Sequence, residues 1–481
     1  MRRPRRTTLI TIFCLSVLAG IGVSRKFNVV YGEYWLLGVP LLISLKYKNF
    51  TTIFTVLVFG LALGLWRGGA YMQNVYKLNG LNGQKVIIEA KATTDAVYST
   101  NSQIEFIATD AYVQGQFLQT SLAGNFRISG FGTPMAYRGD VVRVSGKFYT
   151  MRGSNQGRIA YAQIERLGSS QSVINSLTRK FNAGMQNALP EPQASFALGL
   201  LIGQRSTLPK QVTAALTAVG LVHIVAVSGY NLTILVRAIG RIKLGSKYQK
   251  LVASLSLIVG FVLVTGFSAS IVRAAIVSVL GLWAWYYGRQ LKPLVLISFT
   301  AALSGLWNPF YIWSDLGWYL SFLAFFGVLV IAPLIAARFF KPRPNILTLV
   351  LLETLSAEIM TLPLILMTFS QLSLVALLAN ILVVPLVPPA MLFSAIAGLA
   401  GALVPAIAGW IALPARLILS YMLDVINILA GIPSVLLHRS ISLAMMLAFY
   451  ACALVFTISI YKFVRSSAKY SNEANTLDVV K

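Results

Sequence analysis

The sequence predicts a polytopic α-helical membrane protein of about 10–13 membrane segments that carries an inserted small all-β domain. Of its 481 residues, 57% are hydrophobic and only 11% are charged, whereas soluble proteins carry about 25% charged residues. Mean hydropathy is +0.73, and several windows hold the roughly 20 apolar residues that one bilayer crossing requires. A polar stretch of alternating character interrupts these windows early in the chain and predicts the β domain.

Composition divides the chain into five predicted segments. They are N-terminal transmembrane segments at 1–72, an exterior OB-like β domain at 73–169, amphipathic and re-entrant connecting helices at 170–219, a transmembrane domain at 220–464 and a disordered tail at 465–481. Individual spans are expected near 8–24, 34–45, 51–71, 220–238, 251–267, 271–287, 292–307, 317–337, 346–368, 372–394, 395–413, 414–430 and 441–463. Pro385, Pro388 and Pro389 predict an interrupted crossing in "ANILVVPLVPPAML", because proline breaks helix hydrogen bonding.

The polar stretch from about 74 to 168 has the pattern of short antiparallel strands. Segments such as "KVIIEAKATTD", "SQIEFIATDAYV" and "DVVRVSGKFYT" alternate apolar and polar residues, and Gly and Asn separate them. About five strands in so short a stretch favour an OB-like barrel. A plain β-sandwich is the alternative.

Charge sets the predicted orientation. Lys and Arg outnumber Asp and Glu by 40 to 14, which is the bias of an inner-membrane protein whose cytoplasmic loops are basic; a polyanionic partner remains an additional explanation. Arg2, Arg3, Arg5 and Arg6 place the N-terminus in the cytoplasm, so three spans place the β domain outside. With two histidines and two cysteines in the chain, we expect neither a disulfide framework nor a metal site.

Polar residues inside predicted spans mark the candidate site. The stretch "GLVHIVAVSGYNL" contains His223, Ser228, Gly229 and Asn231, which a plain spanning helix would not need. In the predicted orientation Arg273 and Asp315 also fall at the outer ends of spans. Because polar groups in the bilayer are costly and face the bundle interior, we expect a shared outer vestibule. Idle interfacial positions are the alternative.

The β domain carries a second candidate site, rich in basic residues with aromatic neighbours. Such a combination suits a single strand of nucleic acid, through phosphate neutralisation and base stacking. A solvated basic face near anionic lipid is the alternative. The expected DNA-contacting residues are Arg138, Arg143, Lys147, Arg152 and Arg158.

Several blocks resemble the ComEC family of competence proteins. "GLVHIVAVSGYNLTIL" is similar to the Gly-Leu-x-His and Ala-Val-Ser-Gly signature of that family, and "LGLLIGQRSTLP" precedes it as it does there. "TGFSASIVRAAIV", "DLGWYLSFLAFFGVL" and "TLPLILMTFSQLSLVALLANILVVPLV" resemble later family blocks in the same order. The residues at the motif positions of the family are expected to line the channel or to form its motif. They are His223, Ser228, Gly229, Asn231, Arg273, Asp315 and Ser321.

The resemblance implies a channel that passes single-stranded transforming DNA across the cytoplasmic membrane, without catalysis and without a cofactor. Asn231 stands where many members have a second His, and Ala269 where Pro is common. The sequence ends after the last span, so we expect a short form without the family's C-terminal metallo-β-lactamase-like domain.

Partners follow from the same resemblance. We expect single-stranded DNA, the lipid bilayer, an exterior DNA receptor, a separate nuclease and a cytoplasmic motor or strand-binding protein, with a homo-oligomer left open. The alternative function is a polytopic transporter of a small molecule or lipid. A membrane-embedded enzyme is disfavoured because too few titratable residues converge.

Overall fold

Helices make up most of the computed structural model, and one small sheet domain interrupts them. The structure describes residues 6–26, 50–94, 96–98, 103–114, 119–122, 124–131, 136–150, 155–168, 173–204, 207–225, 232, 236, 246–265, 269–289, 292–340 and 344–478. The helices in these ranges are α1 (Arg6–Ser24), α2 (Phe50–Gly80), α3 (Val173–Ala188), α4 (Gln193–Ile202), α5 (Lys210–Ala218), α6 (Lys247–Thr265), α7 (Ala269–Tyr286), α8 (Pro293–Trp307), α9 (Phe310–Ser314), α10 (Leu316–Phe326), α11 (Ala332–Phe339), α12 (Ile346–Phe369), α13 (Ala376–Val383), α14 (Val387–Leu403), α15 (Pro405–Ile411), α16 (Leu413–Ala430) and α17 (Leu443–Asp478).

Eight described helical stretches are long and apolar enough to cross a bilayer. They are Arg6–Ser24, Thr52–Gly80, Lys247–Thr265, Leu316–Phe339, Thr348–Phe369, Ala376–Leu403, Leu413–Ala430 and Leu443–Val464. Shorter apolar helices at Ser270–Tyr286 and Pro293–Trp307 lie where two more spans are predicted. The prediction of a multi-pass helical membrane protein with a small β region is confirmed. The predicted span at 34–45, and most of 220–238, lie outside the described residues.

The proline-rich stretch differs from the prediction of two spans at 372–394 and 395–413. The structure has one apolar helical stretch, Ala376–Leu403, in which α13 and α14 are joined by a 3-10 turn at Val384–Leu386. This turn accommodates Pro385, which has no backbone N–H to donate. The next helix, α15, has only seven residues, and seven residues are too few to cross a bilayer.

The chain end also differs from expectation. Helix α17 continues to Asp478, well into the segment 465–481 for which the sequence predicts disorder. The predicted boundaries of the other segments stay predictions.

A seven-stranded sheet forms the β domain. Its strands are β1 (Lys85–Ala92), β2 (Val97–Tyr98), β3 (Ile104–Gln114), β4 (Gln119–Leu122), β5 (Phe126–Phe131), β6 (Val141–Thr150) and β7 (Gly157–Gly168), while β8 (Gln371–Ser373) and β9 (Leu436–His438) make a separate ribbon. The order is β1-β6-β7-β5-β3-β2, with β4 beside β3. β1 also pairs with β3, and β5 and β7 are parallel.

Alternation along the strands builds the core of this domain. In β6, Val142, Val144, Gly146 and Phe148 are buried, whereas Arg143, Ser145 and Lys147 between them are more exposed. The buried positions meet Phe126 of β5 and the inward residues of β1 and β7 in one apolar cluster. Period-two patterning in the sequence is therefore a direct consequence of one buried and one solvated sheet face.

Helices α1 and α2 pack through glycine. A Cβ atom on Gly20 of α1 would overlap the carbonyl oxygen of Leu61 on α2, and a Cβ on Gly64 would overlap the carbonyl oxygen of Val17. Backbones this close are the geometry that small residues permit between membrane helices. The spacing of Gly60, Gly64 and Gly68 repeats every four residues along α2, so the contact follows one helix face.

Two compact units divide the described chain. The first comprises Met1–Pro209, Val225–Tyr319 and Met391–Arg416, and the second comprises Lys210–Ile224, Leu320–Ala390 and Leu417–Lys481. In the second unit, Asn380 of α13 donates a hydrogen bond to Glu358 of α12 at 3.3 Å, which pairs a carboxylate inside an apolar helix with an amide.

We expect Gly20→Ala to lower the stability of the protein by about 1–3 kcal/mol, because the added methyl group overpacks the contact with α2. Thermal unfolding of the purified protein in lipid nanodiscs measures the change. Gly22→Ala is the matched control, since a Cβ at Gly22 meets nothing within 4 Å. Equal unfolding temperatures for the two variants would contradict the close helix contact.

Candidate functional site

The first unit brings Arg273 and Asp315 together, two residues that lie far apart in sequence. Arg273 lies in the first turns of α7 and is only 2% exposed. Its Nη2 donates a hydrogen bond to the carbonyl oxygen of Gly317 at 3.0 Å, and its charge interacts with Asp315 and with Tyr311. Asp315 is itself 7% exposed, so both side chains are held away from solvent.

The turn between α9 and α10 shapes this cluster. Asp315 ends α9 and accepts a hydrogen bond from the Gly317 backbone N–H at 2.8 Å, a local side-chain-to-backbone bond of the kind that stabilises turns. Trp318 Nε1 donates to Ser304 Oγ at 3.0 Å, and the Tyr319 hydroxyl donates to the carbonyl oxygen of Ile312. The turn thus presents the Gly317 carbonyl in a fixed position toward Arg273.

The other predicted vestibule residues belong to the second unit or lie outside the described residues. His223 is exposed in a 3-10 turn at Val222–Ile224 of the second unit, with Nδ1 at 3.2 Å from the Gly220 carbonyl oxygen. Ser321 is half-buried in α10, also in the second unit. Ser228, Gly229 and Asn231 lie outside the described residues. Of the predicted vestibule, Arg273 and Asp315 are the pair that the first unit assembles.

Arg138 of the β domain contacts a membrane helix. Its Nη1 donates to the carbonyl oxygen of Val264 at 2.6 Å and its Nη2 to that of Leu263 at 3.1 Å. These carbonyls lie in the last turn of α6, where helix carbonyls lack intrahelical partners and the helix dipole is negative. Arg138, predicted to contact DNA, therefore ties the β domain to α6 in this structure.

Two more predicted DNA contacts have partners within the sheet. Arg143 bonds to Glu89 at 2.8 Å and lies 3.6 Å from Glu165; the hydrogen bond to Glu89 raises the pKa of Arg143 above its usual value. Arg158 donates to Ser129 Oγ at 3.0 Å. The basic face is consequently less available than the sequence suggests, because neighbouring strands supply acceptors. Arg152 lies outside the described residues.

An exposed row on the sheet retains the predicted combination of basic and aromatic residues. Lys147 of β6 is exposed and is the register partner of Lys85 on β1, a residue that the sequence did not single out. Like charges directly opposite each other on neighbouring strands, as in this lysine pair, destabilise a sheet.

Tyr161 bulges from β7 opposite Gly146 and is 69% exposed. Its φ of 53° is a left-handed conformation, which is rare for a bulky residue and often marks a functional position.

A cavity of about 520 Å³ lies within the first unit, between the β domain, α3 and the C-terminal ends of α4 and α6. We name it the α3 cavity. α3 turns its polar face toward the cavity, whereas its apolar residues Phe181 and Met185 pack against Gly398 of α14. Sequence patterning identified α3 as amphipathic but could not identify what its polar face lines. The charged and amide side chains of the lining include Arg127, Arg138, Arg179, Asn175, Asn182 and Gln204.

We expect Arg138→Ala to loosen the β domain from α6 and to reduce its stability by about 1.5–3 kcal/mol, the usual contribution of hydrogen bonds to a charged group. Hydrogen–deuterium exchange should become faster in the last turn of α6. Arg143→Ala is the control, because its exposed ion pairs contribute little. Unchanged exchange in α6 on removal of Arg138 would show that the contact does not hold the domain.

Comparison with known proteins places these residues in a family. The sequence profile of the family described as Competence protein matches residues 200–463, more than half of the chain. ComE operon protein 3 of Bacillus subtilis (strain 168) is 26% identical over 228 residues, an alignment that covers 47% of this chain and 29% of that protein. No solved structure matches the chain. The profile match begins in α4 and includes both Arg273 and Asp315, and the chain therefore belongs to the Competence protein family.

Proposed function

We propose that this chain forms a membrane channel that translocates single-stranded DNA across the cytoplasmic membrane during natural competence. The observation that carries the proposal is the Competence protein match over residues 200–463, which holds most of the candidate membrane spans. A role in DNA uptake needs a route for a polyanion through roughly 30 Å of hydrocarbon. Only polar groups enclosed by the helices can replace the water that the strand loses.

Charged and polar residues of the motif blocks supply such groups in the proposed channel. Arg273 meets backbone phosphates, and Asp315 keeps the guanidinium oriented. In the structure Arg273 donates a hydrogen bond to the Gly317 carbonyl oxygen. In our proposal this is the closed state of the channel. When the channel opens, a phosphate oxygen of the DNA replaces the Gly317 carbonyl as the acceptor. His223, Ser228, Gly229, Asn231 and Ser321 complete the lining in the proposal.

We further propose that the β domain is an OB-like barrel that holds DNA outside the membrane. Support comes from the pairing of β1 with both β6 and β3, which returns the strand order to its start. OB folds are five-stranded Greek-key barrels that bind oligonucleotides. Lys85 and Lys147 attract the phosphates, and Tyr161 offers a ring for base stacking.

Orientation and partners complete the proposal. The basic N-terminus lies in the cytoplasm and the β domain outside, by the positive-inside rule. The chain works as a channel and not as an enzyme. An exterior receptor delivers DNA, a separate nuclease removes the second strand, and a cytoplasmic motor or strand-binding protein draws the strand inward.

Deletion of the gene should leave DNA bound at the cell surface and abolish the nuclease-protected single strand in the cytoplasm, because only the crossing step is lost. Quantification of labelled DNA in surface and cytoplasmic fractions measures both, and the wild-type gene restores uptake. Arg273→Lys should restore it only in part, since lysine cannot make the paired contacts of a guanidinium. Normal uptake in the deletion strain would reject the proposal and favour a transporter of small molecules or lipids.

We expect Tyr161→Asn to weaken binding of a short oligothymidylate by about 1–3 kcal/mol through loss of base stacking. The unfolding temperature should not fall, because Asn adopts the left-handed conformation more readily than Tyr. Fluorescence anisotropy of the nanodisc-embedded protein measures the affinity. Tyr112→Asn is the control. Tyr112 is also an exposed tyrosine, but its register partner on β1 is the acidic Glu89. Equal affinity for wild type and Tyr161→Asn would remove Tyr161 from the binding surface.

A further inference from the structure

The α3 cavity has the size of a small-ligand site, and charged, amide and hydroxyl side chains form part of its lining. Its volume of about 520 Å³ lies within the roughly 300–1,000 Å³ typical of small-molecule pockets. On α3, Asn175, Thr178, Arg179 and Asn182 all line it. Their spacing of three, four and seven residues places them on one helix face, so the amphipathic pattern of α3 serves the cavity.

Among the described residues of the lining, cationic side chains outnumber acidic ones. Arg127, Arg138 and Arg179 line the cavity together with Glu105, which pairs with Arg127 at 2.5 Å. Arg138 is bonded to the end of α6, whereas Arg179 is exposed on α3. The cavity therefore keeps a positive balance, with Arg179 as the guanidinium best placed for an incoming anion.

A hydrogen-bonding group in the lining also points to a ligand. Asn182 donates through Nδ2 to Gln204 Oε1 at 2.9 Å, which fixes the plane of its amide. Its Oδ1 atom is buried and accepts no hydrogen bond from the residues that the structure describes. A buried acceptor without a donor is costly, and a ligand that carries an N–H group would satisfy it.

We propose that the α3 cavity binds one nucleotide of the incoming unpaired strand, with its phosphodiester against Arg179 and its base edge against Asn182. This inference rests on the proposed function and adds to it a defined site between the β domain and the membrane helices. Tyr137, which also lines the cavity and is 41% exposed, offers an aromatic ring to the base. The site is the place where the strand leaves the sheet surface and reaches the end of α6.

The lining favours a nucleotide over the headgroup of an anionic phospholipid. Amides and hydroxyls from the β domain, from α3 and from the turn after α4 line the cavity, and such donors and acceptors match the edge of a base. A lipid would bring acyl chains, which need a continuous apolar surface. The apolar side chains in the described lining come from three separate elements, namely Phe106 and Ile107 of β3, Ile202 of α4 and Val264 of α6.

Arg179→Gln and Lys180→Gln form a matched pair for the test. Both remove one positive charge from neighbouring exposed positions of α3, but of the two only Arg179 is in the described lining of the cavity. With the full chain in nanodiscs of zwitterionic lipid, we expect Arg179→Gln to weaken binding of oligothymidylate about tenfold. The dependence of affinity on salt should fall by about one counterion, whereas Lys180→Gln should change affinity by less than about twofold.

Asn182→Ala tests the base contact. It should weaken binding of oligothymidylate about fivefold and leave the salt dependence unchanged, because no phosphate contact is lost. With an abasic oligomer of the same length, Asn182→Ala and wild type should bind equally. Unfolding temperatures of all variants are measured alongside, so that a loss of folding is recognised separately.

Two outcomes overturn the inference. Equal effects of Arg179→Gln and Lys180→Gln on oligonucleotide affinity would show that the cavity is not the site. Retention of phosphatidylglycerol by wild type but not by Arg179→Gln in native mass spectrometry, with unchanged oligonucleotide binding, would assign the cavity to lipid. Either result leaves the proposed function standing if gene deletion still abolishes uptake, whereas normal uptake after deletion rejects the function itself.

Discussion

Two hydrogen bonds from Arg138 to the last carbonyls of α6 connect the water-facing and lipid-facing parts of the first unit. A helix end inside a membrane protein has carbonyl groups that need donors, and a cation there also complements the helix dipole. The Arg138 side chain of the β domain supplies both the hydrogen-bond donors and the positive charge. The α3 cavity lies beside this contact, with Arg138 and Val264 in its wall, so its shape depends on the same two bonds.

Sequence patterns predicted the elements whose cause is local. Period-two alternation located β1 and β6, because each has one face in the apolar core, and the lengths of apolar windows located most spans. Interruptions within helices were harder to predict from the sequence. Pro385 indicated an interruption correctly, and the interruption is a 3-10 turn within one apolar helical stretch. The structure has one apolar helical stretch, Ala376–Leu403, where the sequence predicted candidate spans at 372–394 and 395–413.

The hydrogen-bond and ion-pair partners of side chains could not be predicted from the sequence, because they depend on the register between distant strands. Nothing local indicates that Arg143 lies opposite both Glu89 and Glu165, so a basic patch was expected where ion pairs are found. The structure does bring Arg273 and Asp315 together beside Gly317, as we expected after assigning both to the outer ends of predicted spans. Their burial against the Gly317 turn was not predictable. Arg179 and Asn182 were missed, although their helical spacing on α3 was the signal that could have found them.

Strand order in the β domain also governs when the sheet can form. β1 has two neighbours, β3 and β6, and β5 bonds to β7 across a parallel pair, so distant parts of the stretch must meet. During synthesis β1 emerges well before β6, and one of its edges stays open in that interval. Sheets with such non-local contacts fold slowly, and an open edge is prone to pair with other chains. Biogenesis of this protein therefore includes a period in which the unfinished sheet needs protection from aggregation.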